Sequence, residues 1–263
     1  MTLGSGKLSN AYSPDLARVW DRVVPAGGEL LAERMLRYFD ARRPDARGCK
    51  VLDLCCGTGR ATRFLARKGY RVFGLDLSPS MISQATKSCR SFIRTGKVRF
   101  QVADVRDFDV GTGFDLAVSP WDGLNHLDDL DQLRACCRCV RRSLSPGGLF
   151  IFDLVTRESL IHDMITIERH HDWVAILEER YSAEAGTSLA RFNGFVKKKN
   201  GDYERYDQTL SWTPFAMAAV KRALRDTGFR EVRLLDEETL ERELSNPEDS
   251  ARVFFAATRP SEG

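Results

Sequence analysis

Two hydrophobic rhythms divide the chain. Between Val51 and Leu154, short apolar runs alternate with stretches of helical spacing. Val51–Leu54, Arg71–Leu75, Val98–Ala103, Phe114–Ser119 and Leu149–Leu154 read as strands. Ala61, Phe64, Leu65 and Ala66 share one helical face, and Ser80–Arg90 and Asp128–Leu144 read as further helices, the last stopped by Ser145-Pro146-Gly147-Gly148. Upstream, Ser13-Pro14-Asp15 sets an N-cap and a first-turn proline ahead of helices over Leu16–Val23 and Gly28–Phe39. Ser78-Pro79 repeats that signature, and Pro44–Gly48 reads as the loop into the first strand.

From Trp173 the helical period disappears. Trp173–Tyr181, Ala190–Lys198 and Tyr203–Leu210 alternate as strands, with Asn200-Gly201 as a hairpin turn because both residues tolerate positive φ. Lys197, Lys198 and Lys199 beside that turn read as a solvated tip. A helix over Ala216–Thr227 stops at Gly228, and Arg230–Leu235 and Arg252–Thr258 read as a closing pair of strands. The expectation is an α/β chain: a doubly wound, mostly parallel sheet carrying an antiparallel insertion after its fifth strand.

Composition narrows the class without naming it. The chain has 263 residues, 43% hydrophobic and 29% charged, with a net charge of +3. That length suits one α/β domain with an insertion, and that charge is too mild to imply nucleic acid or membrane. No apolar run approaches a transmembrane span and no signal-peptide core is visible. Seven cysteines in no framework spacing point to a reducing cytoplasm. Cys136, Cys137 and Cys139 share a helical stretch with no matching histidine pattern, and His170-His171 reads as a loop pair before the insertion, so no metal is expected. Met1–Lys7 is expected to be disordered, and oligomeric state is not readable.

The chemistry concentrates between Lys50 and Ser80. A strand ending at Asp53-Leu54 runs into the small turn Cys55-Cys56-Gly57-Thr58-Gly59, then a helix, then a strand closed by Asp76. An acid there can accept both hydroxyls of a ribose. The dinucleotide fingerprint is incomplete, since Thr62 stands at its third glycine. Asp53 would repel a diphosphate and attract an ammonium, while the helix N-terminus after Gly59 suits a carboxylate.

Asp53-x-x-Cys56-Gly57-Thr58-Gly59 followed by Asp76 resembles the first two motifs of class I S-adenosylmethionine-dependent methyltransferases. The resemblance implies S-adenosyl-L-methionine as cofactor and a seven-stranded Rossmann-like sheet. It implies cofactor contacts from Asp53, Cys55, Gly57, Thr58, Gly59 and Asp76, with Asp104 taking the adenine amine, Leu77 and Val105 against its faces, and Ser119 near the sulfonium. Many such enzymes carry glycine or alanine at the position of Cys55, which is small enough for the turn to survive.

Ser119-Pro120-Trp121 partly resembles the motif of nucleic-acid amino-methyltransferases but lacks its second proline. The run through Asn125-His126-Leu127 is more similar to small-molecule methyltransferases, aminosugar N,N-dimethyltransferases among them. That likeness continues from Val51 through Pro146–Asp153 and the insertion to Gly228-Phe229. Thr209, Leu210 and Thr213 depart from the polar residues those enzymes carry near there, which points to a different acceptor. Trp121 and Asn125 are expected on the substrate side. His126 is the candidate base or orienting group, or else a cap for the next helix. Tyr12 covers the transfer site by the same resemblance, or is a surface aromatic. The expected division is a helical cap over 1–45, a methyltransferase core over 46–160 and 214–260, and a substrate lid over 161–213. The expected reaction is methyl transfer to nitrogen or oxygen of a small metabolite, with no nucleic acid or membrane partner. A nucleic-acid amino-methyltransferase or a cofactor-binding module without turnover are the alternatives.

Overall fold

The computed structural model describes residues 11–24, 27–43 and 48–261. Met1–Lys7 and most of the Pro44–Gly48 loop lie outside them. Helices α1 (Pro14–Val23) and α2 (Gly27–Asp40) precede strand β1 (Lys50–Leu54). There follow α3 (Arg60–Arg67), β2 (Arg71–Asp76), α4 (Pro79–Ser88), α5 (Arg90–Arg94), β3 (Val98–Val102), β4 (Phe114–Ser119), α6 (Leu130–Ser143) and β5 (Leu144–Val155). Both serine caps form: Ser13 accepts from the Leu16 amide and Ser78 from the Met81 amide.

After the short α7 (Arg157–Leu160) come β6 (Met164–Arg169), β7 (Trp173–Ser182), β8 (Thr187–Lys197) and β9 (Tyr203–Trp212). The chain closes with α8 (Met217–Asp226), β10 (Arg230–Leu235) and β11 (Arg252–Thr258). The main sheet has the order β10-β11-β5-β4-β1-β2-β3. Strands β1 to β5 run parallel, whereas β11 pairs antiparallel with both β5 and β10. Alternation along β5 shows why it sits centrally: Phe150, Phe152 and Leu154 enter the core under α6 and α8, while Leu149 and Ile151 enter the core under α2 and α3.

The second sheet, β6-β7-β8-β9, is wholly antiparallel. Its inner face packs on α1, with Leu16, Val19 and Val23 against Ala190, Val196, Leu210 and Trp212. It has four strands where three were expected. β6 is an edge strand exposed at all six positions, so it buries no face that would mark it as a strand. His170-His171 therefore lies inside the insertion, in the β6–β7 turn, where the His170 ring stacks on Trp173 at 3.9 Å. Ser145–Gly148 does not break the chain between helix and strand; it is the irregular start of β5, with Gly147 at φ +75°.

Candidate active site

The strand order reverses between β1 and β4, and a cleft of about 690 Å³ opens beyond the carboxyl ends of β1, β2 and β4. One side is the β1–α3 turn. Cys55, Gly57 and Gly59 all adopt left-handed backbone, at φ +52°, +53° and +78°. At Gly59 there is a second constraint, because a Cβ would stand 3.0 Å from that of Ala85. The Cys56 amide bonds the Leu75 carbonyl at 3.0 Å, which ties the turn to β2.

Two buried carboxylates face this turn. Asp76 accepts from the Gly57 amide and the Ser78 amide, each at 2.9 Å. Those two bonds use one site on each oxygen and leave one on each. Asp53 is fully buried, and its Oδ2 accepts from the Thr62 hydroxyl at 2.5 Å. Its Oδ1 has no hydrogen-bond partner among the described residues. Burial, only partly countered by Thr62, pushes the Asp53 carboxyl up to about 7. Thr62, the departure from the dinucleotide pattern, is thus the residue that orients Asp53. An orphaned acidic oxygen and a carboxylate with spare lone pairs suit an ammonium and a ribose diol.

Comparison with known proteins agrees. Residues 51–148 match a family model described as a methyltransferase domain. A putative methyltransferase, YqeM, of Bacillus subtilis is 26% identical over 231 residues, 86% of this chain and 90% of that protein. The dTDP-4-amino-2,3,4,6-tetradeoxy-D-glucose N,N-dimethyltransferase of Saccharopolyspora spinosa is 30% identical over 148 residues, 55% of this chain and 56% of that one. An S-adenosylmethionine-dependent methyltransferase from Clostridium acetobutylicum superposes with a TM-score of 0.79, at 20% identity over 94% of this chain and 98% of its own. Residues 51–148 form a methyltransferase domain.

A second, larger cavity of about 1220 Å³ adjoins the methyltransferase cleft, between α1, the inner face of the insertion sheet and the loop after β4. Tyr12, Trp20, Val24 and Trp121 line both cavities. At this junction the Tyr12 hydroxyl lies 3.2 Å from His126 Nε2, while His126 Nδ1 lies 2.9 Å from the Ser211 carbonyl. A carbonyl can only accept, so Nδ1 carries the proton and Nε2 accepts from Tyr12. Burial lowers the His126 pKa and, with Asp122 and Asp76, raises that of Tyr12 well above its ordinary value, so both groups are neutral near pH 7. His126 does not cap the next helix; Asp129 does, accepting from the Asp131 and Gln132 amides.

The loop carrying His126 is held by charges from three elements. Asp153 on β5 accepts from the Trp121 amide at 2.7 Å and the Asp122 amide at 3.0 Å, fixing two residues at φ +70° and +48°. Arg252 on β11 bridges Asp153 and Asp122, and Asp122 accepts from the Trp212 indole at 2.8 Å. Burial raises the Asp153 carboxyl to about 6 despite Arg252. Tyr12 is placed from both sides: its carbonyl accepts from Ser78 Oγ at 2.6 Å, and Gln208 on β9 bonds Ala11 and Ser13.

Of the residues expected at the site, Asp53, Cys55, Gly57, Thr58 and Asp76 line the cleft, together with Tyr12, Trp121 and His126. Thr58 donates to Asp21 at 2.6 Å, which fastens α1 over the turn. Gly59 lies just behind as the cap of α3. Leu77, Asp104, Val105, Ser119 and Asn125 do not line either cavity. Leu77 is exposed, Val105 packs in the core, and Ser119 is buried beside Gly123. Asp104 caps its own turn and pairs with Arg106, whose guanidinium holds the carboxyl below its usual range. Asn125 spends its whole amide on Val155 and Thr213, joining β5 to the segment after β9. Reading the sequence missed Gln208, Ser211, Trp212, Asp153 and Arg252. Each acts across more than 25 positions, and no local pattern marks such a partnership.

Proposed function

We propose that the two cavities divide the reaction between them: the cleft holds S-adenosylmethionine and the larger chamber holds a small-molecule acceptor, with the four-stranded sheet as its lid. Asp53 Oδ1 takes the methionine ammonium, Asp76 takes the ribose hydroxyls, and the Cys55–Gly59 turn encloses the chain between them. Bound S-adenosylmethionine supplies an activated methyl group on a sulfonium. The protein aligns the acceptor nitrogen or oxygen with it and excludes water.

The observation that carries this reading is the Tyr12–His126 bond at the junction of the cavities. Tyr12 donates to His126, so its oxygen is free to accept from the nucleophile. Tyr12 oxygen would take the proton that the acceptor loses, while Tyr12's own proton passes to His126 Nε2. The resulting imidazolium keeps its Nδ1–H on Ser211 and faces the Asp122 carboxylate. Trp20 and Trp121 wall the passage. The unpaired state of all seven cysteines favours the cytoplasm as its compartment. Nucleic acid is not a partner in this reading, since the apolar chamber suits a compact acceptor.

Incubation with methyl-labelled S-adenosylmethionine and a metabolite extract, read by mass spectrometry, tests it. Label should enter small molecules with the wild type and not with Tyr12→Phe/His126→Ala. No label in any small molecule would remove the reading.

A further inference from the structure

The chamber's electrostatics are unusual for an enzyme with a relative named for a dTDP-linked aminosugar. Its walls are apolar and aromatic, with Val23, Leu160, Leu177, Phe192 and Trp212 facing the interior. Arg252 is the one cation among its described lining residues, and it is already bound to Asp122 at 2.9 Å and to Asp153. Diphosphate recognition needs free guanidinium or ammonium groups, or a helix N-terminus aimed at the ligand. Among its described lining residues the cleft adds Arg60, which bonds Asp21 at 2.9 Å and the Val24 carbonyl.

The chamber does offer a negative charge. Asp122 is spent on Arg252 and Trp212, and Glu168 lies 4.0 Å from His170. Glu179 on β7 has no side-chain partner among the described residues, although it is half-buried against an apolar wall. In register it stands between Met164 and Ala190, and Ala190 faces Leu210. Trp212, which packs on the His126 ring at 4.4 Å, is on the next inward rung of β9. Glu179 is therefore two strand spacings, roughly 10 Å, across the sheet from Leu210, with Trp212 and the His126 ring one rung further along.

Resting on the methyltransferase reading, we infer that the acceptor is an apolar, ring-bearing molecule whose cationic group pairs with Glu179, and not a nucleoside-diphosphate sugar. The apolar walls hold the ring system by area burial. A cation entering beside Glu179 regains by pairing what it loses in desolvation, whereas a diphosphate would be desolvated against that acid while Arg252 stays paired with Asp122 and Asp153.

Trp20, Trp121 and Trp212 line the chamber, so tryptophan quenching reports its occupancy. The full chain, saturated with S-adenosylhomocysteine, is titrated with naphthylmethylamine, naphthylmethanol and thymidine diphosphate. The amine should bind about tenfold or more tighter than the isosteric alcohol, the size expected of one charge-assisted contact. Thymidine diphosphate should not compete with either. Glu179→Gln should bring the amine to the alcohol's affinity and leave the alcohol's unchanged, which also shows that the chamber is intact. Equal affinity of amine and alcohol in the wild type, no binding of either, or tighter binding of thymidine diphosphate would each overturn the inference. Calorimetry of S-adenosylhomocysteine on the same sample separates the two levels. Its failure to bind sinks the methyltransferase reading, whereas normal binding with any of those three results sinks this inference alone.

Discussion

The cleft and the chamber adjoin and share four residues, but their polar groups come from different parts of the chain. The carboxylates and backbone amides of the cleft come from one contiguous turn, 53–59, and one acid nineteen residues after Gly57, while the same elements that line the chamber, α1 and the loop after β4, close its other side. The chamber is made by side chains from α1, the loop after β4, β5, the insertion sheet and β11. A cofactor that does not vary can be bound by a fixed local motif. An acceptor that varies between relatives is bound by parts that can change independently.

The largest effect is expected where the two regions are fastened together. Arg252→Ala leaves Asp122 and Asp153 buried without their counter-charge and should destabilise the protein by about 3–5 kcal/mol in urea unfolding. A loss below about 1 kcal/mol would show that the loop carrying His126 does not depend on this network. Next, His126→Ala should lower kcat by roughly 10²-fold while sparing cofactor affinity. His126→Asn, which can still accept from Tyr12, should recover part of the loss if the ring orients Tyr12 and little if it takes the proton. Asp76→Ala should do the converse, weakening S-adenosylmethionine binding by about 1–3 kcal/mol in calorimetry. If both variants hit both parameters equally, the division between cleft and chamber fails.

A smaller effect separates the two carboxylates of the cleft. Asp53 titrates at about 7 in the free protein, above its unfolded value, so it favours the folded state at low pH and loses that contribution as pH rises through 7. An ammonium seated on Oδ1 reverses the preference by stabilising the carboxylate. Cofactor affinity should therefore rise between pH 5 and about 7, with protons released on binding that calorimetry in buffers of different ionisation enthalpy detects. Asp53→Asn should abolish the release. The smallest effect is expected at the hairpin tip. Alanine at Lys197, Lys198 and Lys199 together should change stability by no more than about 0.5 kcal/mol and leave turnover unchanged. A steep, salt-dependent loss of RNA binding in that variant would revive the nucleic-acid alternative.

How much could be read beforehand follows the same division. The central parallel strands β1, β2, β4 and β5 announce themselves because both faces are buried, and the turn because glycine and an acid recur at fixed offsets. Thr62 stood out only as a missing glycine, since its bond to Asp53 depends on a helix turning back over a strand. Strand β6 escaped notice because none of its residues is buried. Asn125 looked like a substrate contact because it sits in a motif-like run, yet the fold closes β5 and the segment after β9 around its amide. Ser211 acts through its carbonyl, which no side-chain pattern can advertise. What the sequence hides is pairing across elements, and the acceptor side consists of little else.

A crystal structure with S-adenosylhomocysteine bound tests the central claim most directly. The amino group should lie on Asp53 Oδ1, the ribose hydroxyls on Asp76, and the sulfur toward Tyr12 and His126 with the chamber beyond it. A ligand whose sulfur faces away from the Tyr12–His126 pair, or whose ammonium leaves Asp53 Oδ1 without a partner, would contradict it.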